Sequence, residues 1–295
     1  MIAVAGGTST LGRYLIPRLL ADGRRVRVLT RDPAKAATQS GVEFVACDVL
    51  DSAAVQRAVA GADTVISAMH GLTGGGRYSP RSVDGLGNHH LIEAARAQGV
   101  GHFVLLSGRG VTRDHGMELF RMKYLAEQEL RASGMPFSII QPSAFMETWL
   151  KIVGEPFVRT GTTRIFGAGQ NPINFVAVDD VAAFVALAVR DASLRSATIE
   201  VIGPENLSMR EFVKTITAVT GKSGSVSAVP LTALRVLSVL MRAVNATLAR
   251  QMRAAVIMDT EDLAADATVN RRRFPEMPCT ALSEVVRRDY FRQTS

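Results

Sequence analysis

An apolar run, Ile2–Ala5, passes directly into Gly6-Gly7-Thr8-Ser9-Thr10-Leu11-Gly12 and from there into a helical pattern over Leu11–Ala21. A strand that turns through glycines into a helix belongs to an open α/β sheet, with the turn at the carboxyl edge of the strands. Glycines at such a turn let the backbone approach a phosphate closely. The helix N-terminus adds unpaired N–H groups and a favourable dipole. The spacing is Gly6-x-x-Ser9-x-x-Gly12, so a serine stands where a dinucleotide turn carries its middle glycine. Ser9 and Thr8 can still donate through N–H and hydroxyl. The expectation is a dinucleotide cofactor whose pyrophosphate sits on Gly6, Thr8, Ser9, Thr10, Leu11 and Gly12. The competing expectation is an ordinary βα turn in which glycine only permits tight packing.

The same alternation continues through the first half. Apolar runs at Val26–Leu29, Val42–Ala46, Thr64–Ala68, Phe103–Leu106 and Phe137–Ile140 are separated by helical patterns at Ala53–Ala60, Leu86–Gln98 and Leu119–Ala132. Continuous apolar runs suit parallel strands buried on both faces. With right-handed crossovers they predict an α/β fold, doubly wound about a mostly parallel sheet. After Pro142 the rhythm becomes irregular, punctuated by Gly161, Gly167, Gly169 and Pro172. The 295 residues therefore divide into a nucleotide-binding domain, 1–142, and a smaller substrate lobe, 143–295. Segments from about 173 to 203 are expected to return to the main sheet. They read as a strand at Phe175–Val178, a helix at Val181–Val189 N-capped by Asp179 or Asp180, and a strand at Ile199–Ile202. Ser208-Met209-Arg210-Glu211 is a capping box opening a helix to Val219, with Gly221 as its stop.

The second strand ends Val28-Leu29-Thr30-Arg31. NAD sites carry a carboxylate there for the ribose 2′-hydroxyl, whereas Arg31 can pair a 2′-phosphate bidentately. Arg13 is a candidate second cation, and Asp32 falls one residue late for the ribose role. NADP(H) is thus preferred over NAD(H). Asp48, after the third strand, is a candidate acceptor for the adenine amino group, or a turn residue. Ser67, Ala68 and Met69 stand at the end of the fourth strand, where small residues let a cofactor pass close to the backbone.

On Gly6–Gly12, Arg31-Asp32-Pro33, Val83-Asp84-Gly85, Phe103 to Ser107, Lys123, Pro142 to Glu147, Asn174 to Val181 and Gly203 to Leu207, the chain resembles an atypical short-chain dehydrogenase/reductase of the NmrA-like group. The resemblance implies a Rossmann-type domain with a small C-terminal substrate lobe. That group holds reductases, isoflavone-reductase-like enzymes among them, and catalytically silent sensors of NADP(H). Its wider superfamily pairs Tyr-x-x-x-Lys with a serine. Here Ser107 and Lys123 match, but Leu119 stands in the tyrosine position. Lys123 is then a proton donor or base beside Ser107, or it only binds the nicotinamide ribose, or it is a solvated charge on its helix. Tyr78, beyond the loop Gly71–Gly76, is a candidate to fold over the site. Phe145 and Met146 are candidates for an apolar substrate pocket.

Other chemistries find less support. The net charge of +7 rests on basic residues spread along the chain without interleaved aromatics, which speaks against nucleic acid. The five histidines form no metal-ligand spacing, so no metal is expected, although His70 and His115 fall near strand ends. Two distant cysteines and the lack of a secretory pattern predict a cytoplasmic setting. Leu231–Met258 reads as a helix broken near Asn245, with Arg235, Arg242, Arg250 and Arg253 on it. Membrane contact there is not expected, and a homodimer is admitted. The reading overall is an NADPH-dependent oxidoreductase acting on a small, largely apolar carbonyl, enone or quinone. The alternative is a non-enzymatic NADP(H) sensor working through a protein partner.

Overall fold

A computed structural model describes residues 1–35 and 39–291. The chain separates into two units, Met1–Pro142 with Val181–Glu200, and Ser143–Asp180 with Val201–Ser295. In the first unit the order is β1 (Ile2–Ala5), α1 (Thr10–Ala21), β2 (Val26–Thr30), β3 (Val42–Ala46), α2 (Ser52–Val59), β4 (Thr64–Ser67), α3 (Asn88–Ala97), β5 (His102–Leu106), α4 (Glu118–Ala132) and β6 (Phe137–Pro142). The second unit adds β7 (Ala144–Phe145), α5 (Met146–Trp149), α6 (Glu155–Thr160), β8 (Thr162–Phe166) and β9 (Ile173–Val176). Then α7 (Val178–Arg190) carries the chain back to the first unit, where β10 (Ala197–Val201) joins the main sheet. The remainder is β11 (Glu205–Leu207), α8 (Met209–Thr220), β12 (Ser225–Val229), α9 (Leu231–Leu240), α10 (Ala246–Thr260), α11 (Ala267–Arg273) and α12 (Leu282–Phe291).

The main sheet has seven strands in the order β10-β6-β5-β4-β1-β2-β3. Pairings from β3 across to β6 are all parallel. This is the doubly wound sheet that the apolar runs predict, of the Rossmann type that the resemblance implies. β1, β4 and β5 are buried on both faces, so they contain no alternation for water to select. The strand order reverses at β1, between β4 and β2, which makes the crevice beyond the β1 and β4 carboxyl ends the place for a ligand. The helix expected from Leu86 starts instead with a wide π-helical stretch at Arg81–Gly87 and becomes α-helical at Asn88. Gly85 and Gly87 weaken regular helix there.

The second unit holds two small sheets, β11-β9-β7 and β12-β8. Its core gathers Trp149, Phe157, Phe175, Phe212, Leu282 and Val286. β9 pairs antiparallel with β11 and parallel with β7, so the strand at 173–176 lies in this small sheet. The capping box is present, with Ser208 Oγ accepting from Glu211 N and Glu211 Oε2 accepting from Ser208 N. Helix α7 begins three residues before the sequence places it, and neither Asp179 nor Asp180 caps it. Glu147 Oε2 instead accepts from Val178 N–H at 2.9 Å, while its Oε1 takes Arg288 at 2.7 Å. Asp180 holds the N–H and hydroxyl of Thr280, both at 2.7 Å. Asn245 does break the long helix, N-capping α10 through Leu248 N. Among the described residues no helix is long and apolar enough to cross a membrane.

Candidate active site

Five parallel neighbours in the first unit each end at one edge of the sheet. Together they bring Gly6, Arg31, Asp48, Ala68 with Met69, and Ser107 to that edge.

The turn after β1 is built by close backbone approach. Gly6 has φ +87°, and a Cβ on it would stand 2.4 Å from Ala68 O. A Cβ on Gly12 would stand 1.9 Å from Gly7 O. Both positions therefore exclude any other residue. Ser9 is different: its φ of −77° and ψ of 175° are extended backbone open to any residue, so the absent middle glycine costs nothing conformationally. Its hydroxyl accepts from Gly12 N at 3.2 Å as the helix N-cap. The hydroxyl proton stays available, and the N–H groups of Thr10 and Leu11 in the first turn have no intrahelical acceptor. Thr8 and Thr10 are exposed. A turn held open by two glycines, with donors aimed off a helix end, fits a pyrophosphate.

At the far end of the crevice, Arg31 is exposed and its guanidinium carbon lies 4.2 Å from the centroid of the Tyr78 ring. Tyr78 Oη donates to Asp48 Oδ2 at 2.9 Å, and Arg77 also pairs with Asp48 Oδ2. Asp48 Oδ1 accepts from Leu50 N at 3.0 Å. Burial works to raise the Asp48 carboxyl. The Leu50 N–H, the Tyr78 hydroxyl and Arg77 outweigh it and hold the pKa below the ordinary value. Tyr78 thus stands with the ends of β2 and β3, among Arg31, Asp48 and Arg77. Sequence reasoning did not single out Arg77, because a loop arginine after three glycines has no periodicity to mark it.

At the ends of β4 and β5 the environment is buried. On α4 the residues Leu119, Lys123, Ala126 and Leu130 form the inward stripe at helical spacing, so Lys123 points into the unit. Its Nζ donates to Leu106 O at 2.9 Å and to Met69 O at 3.3 Å, and stands 3.3 Å from Asp84 Oδ1. Asp84 is fully buried, and its Oδ2 accepts from Gly71 N at 2.7 Å. Burial pushes the Asp84 carboxyl up, while Lys123 and the Gly71 N–H pull against it. The same two charges act on His70, whose pKa desolvation lowers and Asp84 raises, with a net shift downward. Ser67 Oγ donates to Asn88 Oδ1 at 2.5 Å, and Asn88 in turn donates to Asp84 O, so the hydroxyl of Ser67 is committed to the scaffold. Ser107 is buried, and its Oγ has no hydrogen-bond partner among the described residues. A buried hydroxyl without a partner costs free energy unless a ligand supplies one. Asp84 entered the sequence reading only as part of a stretch; an acid between apolar neighbours at a helical position is the signal that marks it.

In the second unit, Met146 is fully buried in the core and Phe145 is half-buried beside it.

The NmrA-like family profile matches residues 1–268. A reductase of Streptomyces griseus, named for (4-alkanoyl-5-oxo-2,5-dihydrofuran-3-yl)methyl phosphate, is 32% identical over 225 residues, 75% of this chain and 74% of that protein. The chloroplastic protein High Chlorophyll Fluorescence Phenotype 244 of Arabidopsis thaliana is 26% identical over 82% of this chain, and the match spans 61% of that protein's length. Among solved structures, an NADPH-dependent quinone oxidoreductase of Escherichia coli complexed with NADPH superposes with a TM-score of 0.78 at 20% identity, covering 98% of this chain and 99% of that one.

Proposed function

The chain belongs to the NmrA-like family, and from that premise we propose that it is an NADPH-dependent reductase of a small, largely apolar carbonyl, enone or quinone. One observation carries the reading: the buried, unpartnered hydroxyl of Ser107 lies one residue past the carbonyl that holds Lys123 Nζ, at the edge where the glycine turn opens. A relative named for reducing a dihydrofuranyl phosphate and another named as an NAD(P)H azoreductase support the reductase reading.

When bound, NADPH supplies a hydride. The chain's own residues do the rest. Thr10 and Leu11 N–H groups, with Ser9, bind the pyrophosphate on the turn cleared by Gly6 and Gly12. Thr8 borders that turn. Arg31 pairs the 2′-phosphate, which NADH lacks, and so sets the preference for NADP(H). Asp48 borders the adenine end. Ala68 and Met69 keep the backbone path beside the turn open, and Ser67 braces that strand end through Asn88. Lys123 has three N–H donors, of which Leu106 O and Met69 O take two. On cofactor binding the ammonium, positioned by Asp84, turns one of these donors to the nicotinamide ribose, and it is the proton source for the reduced product. Ser107 Oγ orients the substrate oxygen. Phe145 supplies apolar surface to the substrate lobe, and Met146 supports it from the core.

Leu119, buried one turn before Lys123, favours a second reading, in which the chain binds NADP(H) without turnover and signals through a protein partner. Absorbance of NADPH during incubation with a panel of enones, quinones and aldehydes separates the two. Substrate-dependent oxidation above background supports the reductase. Tight NADPH binding with no turnover across the panel refutes it.

A further inference from the structure

Helix α9 is apolar on the side that faces out. Its inward side is set by Leu234, which is buried, with Leu231 and Ser238 half-buried a turn to either side. Opposite them, Val236, Val239 and Leu240 are 59%, 66% and 63% exposed, and Val244, in the turn that follows, is 80% exposed. With residues about 100° apart around the helix, the first three span an arc of roughly 100° centred near Val236. A surface helix of a water-soluble fold places polar residues on that arc. The inversion here is contiguous over more than one turn, and contiguous exposed apolar surface marks an interaction site.

Charge identifies what covers it. From Pro230 to Met258 the chain has four arginines, Arg235, Arg242, Arg250 and Arg253, and no carboxylate. Arg235 borders the arc beside Val239, and Arg242 lies in the turn between Leu240 and Val244; both are exposed. A second copy docked here about a two-fold axis would set these arginines against their own counterparts, with no acid from the segment to offset them. An anionic surface uses both features at once: the aliphatic arc enters the apolar boundary and the arginines stay with the headgroups. We infer that α9 and the turn after it form an in-plane docking site for an anionic lipid bilayer surface. The inference stands apart from the proposed reductase activity and does not depend on it.

Co-sedimentation of the full chain with vesicles tests it. Two compositions are needed, phosphatidylcholine alone and an equal mixture of phosphatidylcholine and phosphatidylglycerol, each at low and high salt. The chain is expected to pellet with the phosphatidylglycerol vesicles, and less so at high salt. Arg235→Gln and Arg242→Gln are each expected to weaken partitioning roughly fivefold. The Val239→Ser, Leu240→Ser double variant is expected to abolish it, with an unchanged far-UV circular dichroism spectrum and urea midpoint confirming that the chain is folded. Absence of pelleting, or equal pelleting with neutral vesicles, overturns the inference. So does a double variant that keeps vesicle binding and loses dimer mass in light scattering, since that assigns the arc to a second copy.

Discussion

Replacing Lys123 by Met is the substitution whose consequences the structure specifies most fully. The side chain keeps most of its length and loses an ammonium that donates to Leu106 O and Met69 O and stands 3.3 Å from Asp84 Oδ1. Asp84 is fully buried, with Gly71 N–H as its remaining donor. Breaking a buried pair from one side costs about 3–5 kcal/mol, because the partner charge is left without compensation. That is a large part of a typical stability of about 5–15 kcal/mol. Burial already pushes the Asp84 carboxyl up, and removing the cation pushes it further in the same direction. Asp84→Asn keeps an oxygen for Gly71 but leaves the buried Lys123 ammonium with only Leu106 O and Met69 O, at about 1–3 kcal/mol. The double variant no longer buries a lone charge and is expected to be about 2 kcal/mol more stable than the sum of the single effects. Urea denaturation followed by circular dichroism measures all four corners of the cycle. A Lys123→Met cost below about 1 kcal/mol, or strict additivity, refutes the buried-pair account. The cycle also decides how a loss of turnover in Lys123→Met is read, since activity must be compared where the variant is still folded.

Three further outcomes follow from the same geometry. His102 is buried between β5 and β6, with Nε2 hydrogen-bonded to Ser138 Oγ, and burial, reinforced by Arg195, lowers its pKa to about 4. A histidine depressed on folding contributes stability above its unfolded pKa of about 6.5 and loses it as pH falls towards 4, so stability should drop by about 3 kcal/mol across that window; a His102→Asn variant with the same acid profile contradicts this. Gly12→Ala drives a methyl into Gly7 O and should weaken NADPH binding at least about tenfold, or about 1.4 kcal/mol, while the second unit stays folded; an unchanged titration contradicts it. Ser107→Ala removes a buried hydroxyl that none of the described residues satisfies, so stability should stay level or rise slightly while turnover with a quinone falls about 10–100-fold; a stability loss with full turnover reverses the assignment.

The first unit was legible because its determinants are local. Continuous apolar runs fix parallel strands, parallel strands share a carboxyl edge, and so Gly6, Arg31, Asp48, Met69 and Ser107 fall along one side once the fold is known. The capping box at Ser208 was legible for the same reason, since both partners lie within three residues. What escaped depends on chain segments far apart. Glu147 caps α7 from 31 residues away, so Asp179 and Asp180 looked like the caps. The β8–β12 pair joins Thr162–Phe166 to Ser225–Val229, two short runs that read as loop until each has a partner. Tyr78 was expected to fold over the site; the partners its loop takes, Asp48 and Arg31, are set by hydrogen bonding across 30 residues that no local pattern marks.

The central claim is that the Gly6–Gly12 turn and Arg31 together hold NADP(H). Isothermal titration of the full chain with NADPH and with NADH tests it directly, on the native sequence and on Arg31→Ala. NADPH should bind at least about tenfold more tightly than NADH, and Arg31→Ala should remove that difference while leaving NADH binding unchanged. Equal affinity for the two cofactors on the native chain, or a preference that survives Arg31→Ala, would contradict the account.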